Sequence, residues 1–194
     1  MSSREKILAA IAQNKPASIA LPQPFVVEKG DRDNCQQLKE VIQNIGGRAE
    51  QVKDISVVES IINKRKSEGS VVVNCSALLN QPIDESLAEK KASELSEVVI
   101  LIIEGTIGVA ENGAVWVPEK NMINRILPFI CQELVVIIGK KDIVANMHEA
   151  YERINGEQYG YGVFIAGPSK TADIEQSLVI GAHGAMELTL YILG

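Results

Sequence analysis

The sequence predicts one α/β domain, an α/β/α sandwich around a mostly parallel sheet, preceded by an N-terminal helical arm. Three observations carry that expectation. The 194 residues, 46% of them hydrophobic, are enough to bury a sizeable core. Apolar spacing alternates along the chain between the helical period and short β-branched runs. The connections between those segments are short, as expected where helices cover both faces of a sheet.

Taken in order, Ser2 and Glu5 form a capping box before Ile7, Leu8 and Ile11, which predicts a helix over 3–14. Pro16, Pro22 and Pro24 mark an extended linker, so residues 1–24 read as an arm and 25–194 as the domain. The apolar stripe of so short an arm must pack on this domain or on a neighbouring subunit. Asp33 and Gln36 precede Leu38, Val41, Ile42 and Ile45, an i, i+3, i+4, i+7 set that Gly46-Gly47 ends. A strand over 49–52, a helix through Val57, Val58, Ile61 and Ile62, and a strand over 70–73 follow. Residues 85–95 read as a helix, 98–103 and 114–117 as strands. The link between the last two is too short for a crossover helix, so that pair is antiparallel or bent. Pro128 makes 120–130 irregular or briefly helical. A strand over 134–138, a helix capped by Asp142 with Val144, Met147, Tyr151 and Ile154 inward, a strand over 163–166, a helix from about 170 and a strand over 188–193 complete the alternation.

Charge and cysteine usage narrow the function classes. Net charge is −6 without a basic block, and Lys64-Arg65-Lys66 falls in the last turn of a helix, where cations complement the dipole. Nucleic acid is therefore not an expected partner. The apolar run 98–103 is far too short to span a bilayer, and the N-terminus does not read as a signal peptide, so a cytoplasmic location is expected. Cys35, Cys75 and Cys131 are scattered, which reads as buried thiols rather than a metal or cluster site.

Two clusters hold the chemistry. The first is G-P-S-K-T-A-D-I-E-Q-S-L-V-I-G-A-H-G, residues 167–184. Ser169 or Thr171 can cap a helix and Asp173 can face its dipole, or these groups can touch a ligand. Lys170 can add charge to an anion site at that helix start. Glu175 lies nearly opposite Asp173 and shares a face with Leu178 and Val179, where a carboxylate needs donors or stays protonated. His183 sits between glycines, either as a turn residue or as an acid–base group, whereas His148 fits a packed helix. The second cluster is E-G-T-I-G-V-A-E-N-G-A, residues 104–114. Asn112-Gly113 suits a hairpin turn, and Gly105 and Gly108 allow close backbone approach. Glu111 stands before the turn as a candidate base or nucleophile, with Thr106 as a polar contact.

These two clusters together resemble the LUD domain family and, within it, the C-type lactate-utilization proteins. The resemblance implies a three-layer Rossmann-like fold of the group that includes CoA-transferases and ribose-phosphate isomerase. It also implies a part in oxidising L-lactate to pyruvate beside partner proteins, at least one of which carries iron–sulfur clusters. The family commonly shows Glu-Thr-Gly-Thr where this chain has Glu111-Asn112-Gly113-Ala114, and arginine where it has Lys170. A lysine keeps the charge but loses the bidentate fork.

The expected site gathers Glu111, Asp173, Glu175 and His183 as catalytic groups, with Thr106, Gly108, Asn112, Ser169, Lys170 and Thr171 as contacts for a small carboxylate. It is expected at the carboxyl ends of the sheet strands, where open α/β sheets hold ligands. The cofactor is left open, with clusters expected on partners and a homo-oligomer through the arm as a further option. Glu111-Asn112-Gly113 also resembles the CoA-transferase Ser-Glu-Asn-Gly signature, which makes acyl transfer through Glu111 a second expectation. A non-catalytic assembly subunit is a third.

Overall fold

The computed structural model describes residues 2–20, 22, 33–156, 160–170 and 184–194. It falls into two compact units, Met1–Gly30 and Asp31–Gly194. In the first, α1 (Ser3–Gln13) starts as expected: the Ser2 hydroxyl accepts from the Glu5 N–H and the Glu5 carboxylate accepts from the Ser2 N–H. No residue of α1 is buried.

The second unit contains α2 (Asn34–Asn44), β1 (Arg48–Val52), α3 (Ser56–Ser67), β2 (Val72–Asn74) and β3 (Ile100–Glu104). After these come β4 (Ile107–Val109), β5 (Ala114–Pro118), α4 (Leu127–Ile130), β6 (Glu133–Gly139) and β7 (Ile143–Val144). Helix α5 (Met147–Ile154), β8 (Gly162–Ile165) and β9 (Glu187–Leu193) complete it. Five strands pair all-parallel in the order β1-β9-β6-β3-β2, and four make a second sheet, β7-β4-β5-β8.

Strand alternation sorts the core. Ile100 and Ile102 of β3 and Val135 and Ile137 of β6 meet Val58 and Ile62 of α3. Leu101, Ile103, Val136 and Ile138 point the other way, into a cluster with Leu38 and Ile42 of α2 and with Val115 and Val117 of β5. The outer face of the second sheet, through Ile107, Val109, Ala114 and Trp116, packs on Ala150 and Ile154 of α5. The α/β sandwich stands, with α3 on one face of the parallel sheet and α2 plus a second sheet on the other.

The second sheet is the main departure from the sequence reading. Strand β5 does not pair with β3; it pairs antiparallel with β4, a three-residue strand whose central glycine hides its β pattern. The helix expected over 85–95 is two 3-10 turns, Glu85–Glu89 and Ala92–Glu94. The Asn124 side-chain amide lies 3.0–3.2 Å from the carbonyls of Leu87, Ala88 and Lys90, acceptors that a continuous helix would use itself. Asp142 does not cap α5. It ends a 3-10 turn, Val144 is used in β7, and Asn146 caps instead, its side chain accepting from the Glu149 N–H at 3.0 Å. Sheet pairing overrides the helical spacing there, because the Val144 carbonyl accepts from the Ala110 N–H at 2.9 Å. Tyr151, expected inward, is 58% exposed.

Cys35, Cys75 and Cys131 are free and buried, as their spacing suggests. Burial pushes the Cys131 thiol from 9.0 up to about 12. A folded-state value above the unfolded one means that the folded chain retains a proton that the unfolded chain releases. The resulting stabilisation is complete below about pH 9 and is lost as pH climbs towards 12. Native protein in mildly alkaline buffer is expected to react with no aromatic disulfide reagent, and three thiols are expected to react after unfolding. Fast native labelling of Cys131 would contradict its placement.

Candidate functional site

The site grows from the end of α2. Gly46, at φ +93°, closes the helix, and Gly47 donates its N–H to the Ile42 carbonyl at 2.9 Å, turning the chain into β1. Ile45, at the C-cap, stands half-buried on this turn. Two distant segments close on its side chain. Gly113 lies at the tip of the β4–β5 hairpin at φ +75°, and a Cβ there would stand 3.1 Å from Ile45 Cδ1. A Cβ at Gly167, φ +69°, would stand 3.1 Å from the same methyl carbon. The β5–β8 pairing explains this neighbourhood: Val115 faces Ile165, and continuing that antiparallel register sets Gly113 against Gly167.

Local bonds fix each segment. The Asn112 side chain accepts from the Ala114 N–H at 3.0 Å, an Asx turn that closes the hairpin with the Gly113 N–H to Val109 carbonyl bond of 3.0 Å. Glu111 is exposed, but its Oε1 accepts from the Met147 N–H at 2.8 Å. That N–H belongs to the first turn of α5, where donors lack helical partners and the dipole favours a carboxylate. The visible role of Glu111 is thus to tie the hairpin tip to α5. Ser169 donates its N–H to the Ala185 carbonyl at 2.8 Å, and a Cβ on Gly184 would stand 3.3 Å from its hydroxyl oxygen. Lys170 is exposed, and its Nζ would stand 3.8 Å from a Cβ on Gly46.

Gly113 and Gly167 therefore meet at Ile45, Lys170 stands beside the turn from α2 into β1, and Ser169 stands beside the approach to β9, whereas the Glu111 carboxylate is directed to α5. That turn and that approach lie at the amino ends of the parallel strands, not the carboxyl ends expected from open α/β sheets. Thr106 lies at the other end of β4, where its buried Oγ1 finds no hydrogen-bond partner among the described residues. Gly108 sits in mid-strand, and a Cβ there would come within 3.1 Å of Leu38 and Ile138, so its bareness serves packing. Thr171, Asp173, Glu175 and His183, with the helix expected from about 170, lie outside the described residues.

Sequence reasoning missed Ile45 and Gly46 as the centre of this junction, because Gly46-Gly47 reads only as a helix stop. It also missed a polar clamp at the carboxyl edge. There Glu104 Oε1 accepts from the fully buried Ser76 hydroxyl at 2.6 Å and from the Leu78 N–H at 3.2 Å. Its donors and acceptors satisfy one another, which is the pattern of a structural tie.

The LUD domain family matches residues 77–193, more than half of the chain, and that segment contains the hairpin and the 167–170 turn. This chain belongs to the LUD domain family. A lactate utilization protein C from Geobacillus sp. (strain WCH70) is 32% identical over 116 residues, covering 57% of this chain and 48% of the relative. One of the same name from Bacillus subtilis (strain 168) is 30% identical over 117 residues, with the same coverage, 57% and 48%. The chain spans about half the length of these curated relatives. The crystal structure of a DUF162 family protein from Deinococcus radiodurans superposes with a TM-score of 0.59 at 13% identity, covering 83% of this chain and 96% of that one. At that identity the likeness confirms the fold, an α/β sandwich with a mostly parallel sheet. Within this LUD domain, α2 precedes the matched segment, yet its Ile45 is where the two motif segments meet.

Proposed function

We propose that this LUD domain chain is a cytoplasmic lactate-utilization subunit that takes part in oxidising L-lactate to pyruvate beside iron–sulfur partner proteins. The observation that carries this reading is the closure of Gly113 and Gly167 on one Ile45 methyl group, which brings the two LUD motif segments together. The names of the curated relatives support the pathway. No described helix is long and apolar enough to cross a membrane.

On this reading the junction holds a small carboxylate or a cofactor. Lys170 supplies the cation for the carboxylate, with Ser169 and Asn112 as polar contacts. Oxidation of the alcohol releases two protons, one from the hydroxyl and one from the carbon, together with two electrons. His183, Asp173 or Glu175, from the segment that follows Lys170, accepts the hydroxyl proton. The iron–sulfur partners would supply the acceptor for the two electrons, and the carbon-bound hydrogen would leave to solvent as the second proton. Glu111 acts as a positioning residue by anchoring the hairpin tip. The test is reconstitution with the iron–sulfur partners and lactate-dependent reduction of an artificial acceptor, with and without this chain. Loss of activity on omission is expected, and full activity without the chain would remove the subunit role.

We favour this reading over acyl transfer through Glu111, whose Oε1 accepts from the Met147 N–H and ties that carboxylate to α5. Incubation with acyl-CoA donors is expected to leave no mass adduct on Glu111. Glu111→Gln is expected to lower stability by about 0.3–1 kcal/mol, the scale of a carboxylate at a helix N-terminus. Its lactate-dependent rate should stay close to that of the parent. A labelled Glu111 would restore the transferase reading.

A further inference from the structure

Strand β2 is the terminal strand of the parallel sheet, and none of the described strands pairs with its outer edge. Its inner edge is satisfied by β3. The Val71 carbonyl accepts from the N–H groups of Val99 and Ile100 at 3.0 and 3.1 Å, and the Ile102 carbonyl accepts from the Cys75 N–H at 2.9 Å. In that parallel register Val71, Val73 and Cys75 address β3, so the peptide groups of Val72 and Asn74 point outward. The hydrogen bonds of Asn74 to Ser76 and Gln81 all run through its side chain. Among the described residues, the outward N–H and C=O groups of Val72 and Asn74 have no partner, although Asn74 is buried. A buried peptide group needs one. Both residues line a pocket of about 280 Å³ whose lining also includes Leu87, Leu95 and Val98.

The pocket carries charge of both signs, placed along the strand direction. Lys66 Nζ donates to the Gln81 side-chain oxygen at 2.5 Å, and the Gln81 carbonyl accepts from Asn74 Nδ2 at 3.1 Å. Lys66 therefore stands at the carboxyl end of β2. Glu97 lies two residues before Val99, which is bonded to Val71, and so stands at the amino end. Among the described residues Glu97 makes no hydrogen bond or ion pair. The other acids of the lining are held in local turns: Asp84 accepts from the Ser86 N–H and hydroxyl, and Glu94 accepts from the Lys91 N–H. The Lys90 charge acts on Asp84.

We propose that this pocket binds a short extended peptide with both ends free, laid parallel to β2 as an added strand. The outward groups select a peptide. Val72 and Asn74 are two residues apart, roughly 6.6 Å along the strand, so a ligand that pairs with both must repeat its donors and acceptors at the strand spacing. A single amino acid reaches only one of them. The charges select the direction and the length. The peptide ammonium meets Glu97 and its carboxylate meets Lys66, an order that only a parallel strand satisfies. From Val71 to Asn74 is about 10 Å, the reach of about three residues. Leu87, Leu95 and Val98 give the middle side chain an apolar wall. A phosphate or nucleotide does not suit the lining, where Asp84, Glu94 and Glu97 outnumber Lys66 and Lys90.

The test is an amide chemical-shift titration of the full-length labelled chain with the tripeptide Ala-Val-Ala, its N-acetylated form and its C-amidated form. The free tripeptide is expected to shift the Val72 and Asn74 amides. Each block is expected to weaken binding by about 10-fold, the scale of one charge-assisted contact. In Glu97→Gln the free and acetylated forms should bind alike, and in Lys66→Met the free and amidated forms should bind alike. Val72→Pro removes one outward N–H, leaves the Val73 bonds to β3 in place, and should weaken all three forms. Circular dichroism checks that the variants are folded, and the two exposed charge variants carry the test if the proline variant is not. Unmoved Val72 and Asn74 amides at millimolar tripeptide would overturn the proposal. So would blocked forms that bind the parent as tightly as the free one, which would mark an internal protein segment as the occupant, or charge variants that keep the parent's discrimination.

Discussion

Replacing Lys170 with alanine is expected to cut lactate-dependent acceptor reduction in the reconstituted system by about 10- to 100-fold, the scale of one lost charge-assisted hydrogen bond. The side chain is exposed, so its removal costs little packing, and the urea midpoint should stay put. What is lost is the cation beside the α2 turn. Substrate binding should suffer more than the chemical step, so KM is expected to rise more than kcat falls. Lys170→Arg should keep most of the activity, since it preserves the charge and adds a bidentate fork that matches a carboxylate. A purely structural lysine would show the reverse pattern, with an altered midpoint and an unaltered KM.

Gly105→Ala is expected to destabilise the domain by about 3 kcal/mol, at the upper end of ordinary overpacking. A Cβ at this position would lie 2.2 Å from Val115 Cγ1 and 3.4 Å from Val136 Cγ1. Val115 and Val136 are buried, and a β-branched side chain has little rotamer freedom with which to yield. The Gly105 N–H also donates to the Ile137 carbonyl at 2.9 Å, which holds the backbone in register with β6. The strain therefore falls where the parallel sheet passes into the second sheet. Thermal unfolding should move down by roughly 6–12 °C. A neutral result would mean that the two sheets do not pack against each other at this joint.

These two positions show where sequence logic succeeds and where it stops. The α2 stripe of Leu38 and Ile42 with its Gly46 stop, the capping box of α1 and the apolar runs of β3, β6 and β9 are local patterns. Each follows from spacing within a few residues, so each was legible. The second sheet was not, because β4 is only Ile107–Val109 and its pairing with β5 and β7 depends on residues far along the chain. The same limit applies to the site. Glycines at 105 and 108 resemble a backbone cleared for a ligand, but their neighbours are Val115, Leu38 and Ile138, side chains that no local window contains. Conversely, Gly113 and Gly167 look like ordinary turn residues until Ile45 is placed between them. Among the described residues, Ser76, Leu78 and Glu104 form a clamp at the carboxyl edge, while Gly167 to Lys170 stand by the amino end of β1 and the approach to β9.

The most direct measurement is a titration of L-lactate and of pyruvate into the purified, isotopically labelled chain, followed through backbone amide chemical shifts. The expected result is that Glu111, Asn112, Gly113, Gly167, Ser169 and Lys170 shift together with one affinity, while Ser76, Glu104 and Thr106 stay still. Shifts confined to the Ser76, Glu104 and Thr106 end, or hairpin and 167–170 amides that respond with different affinities, would contradict a single site centred on Ile45.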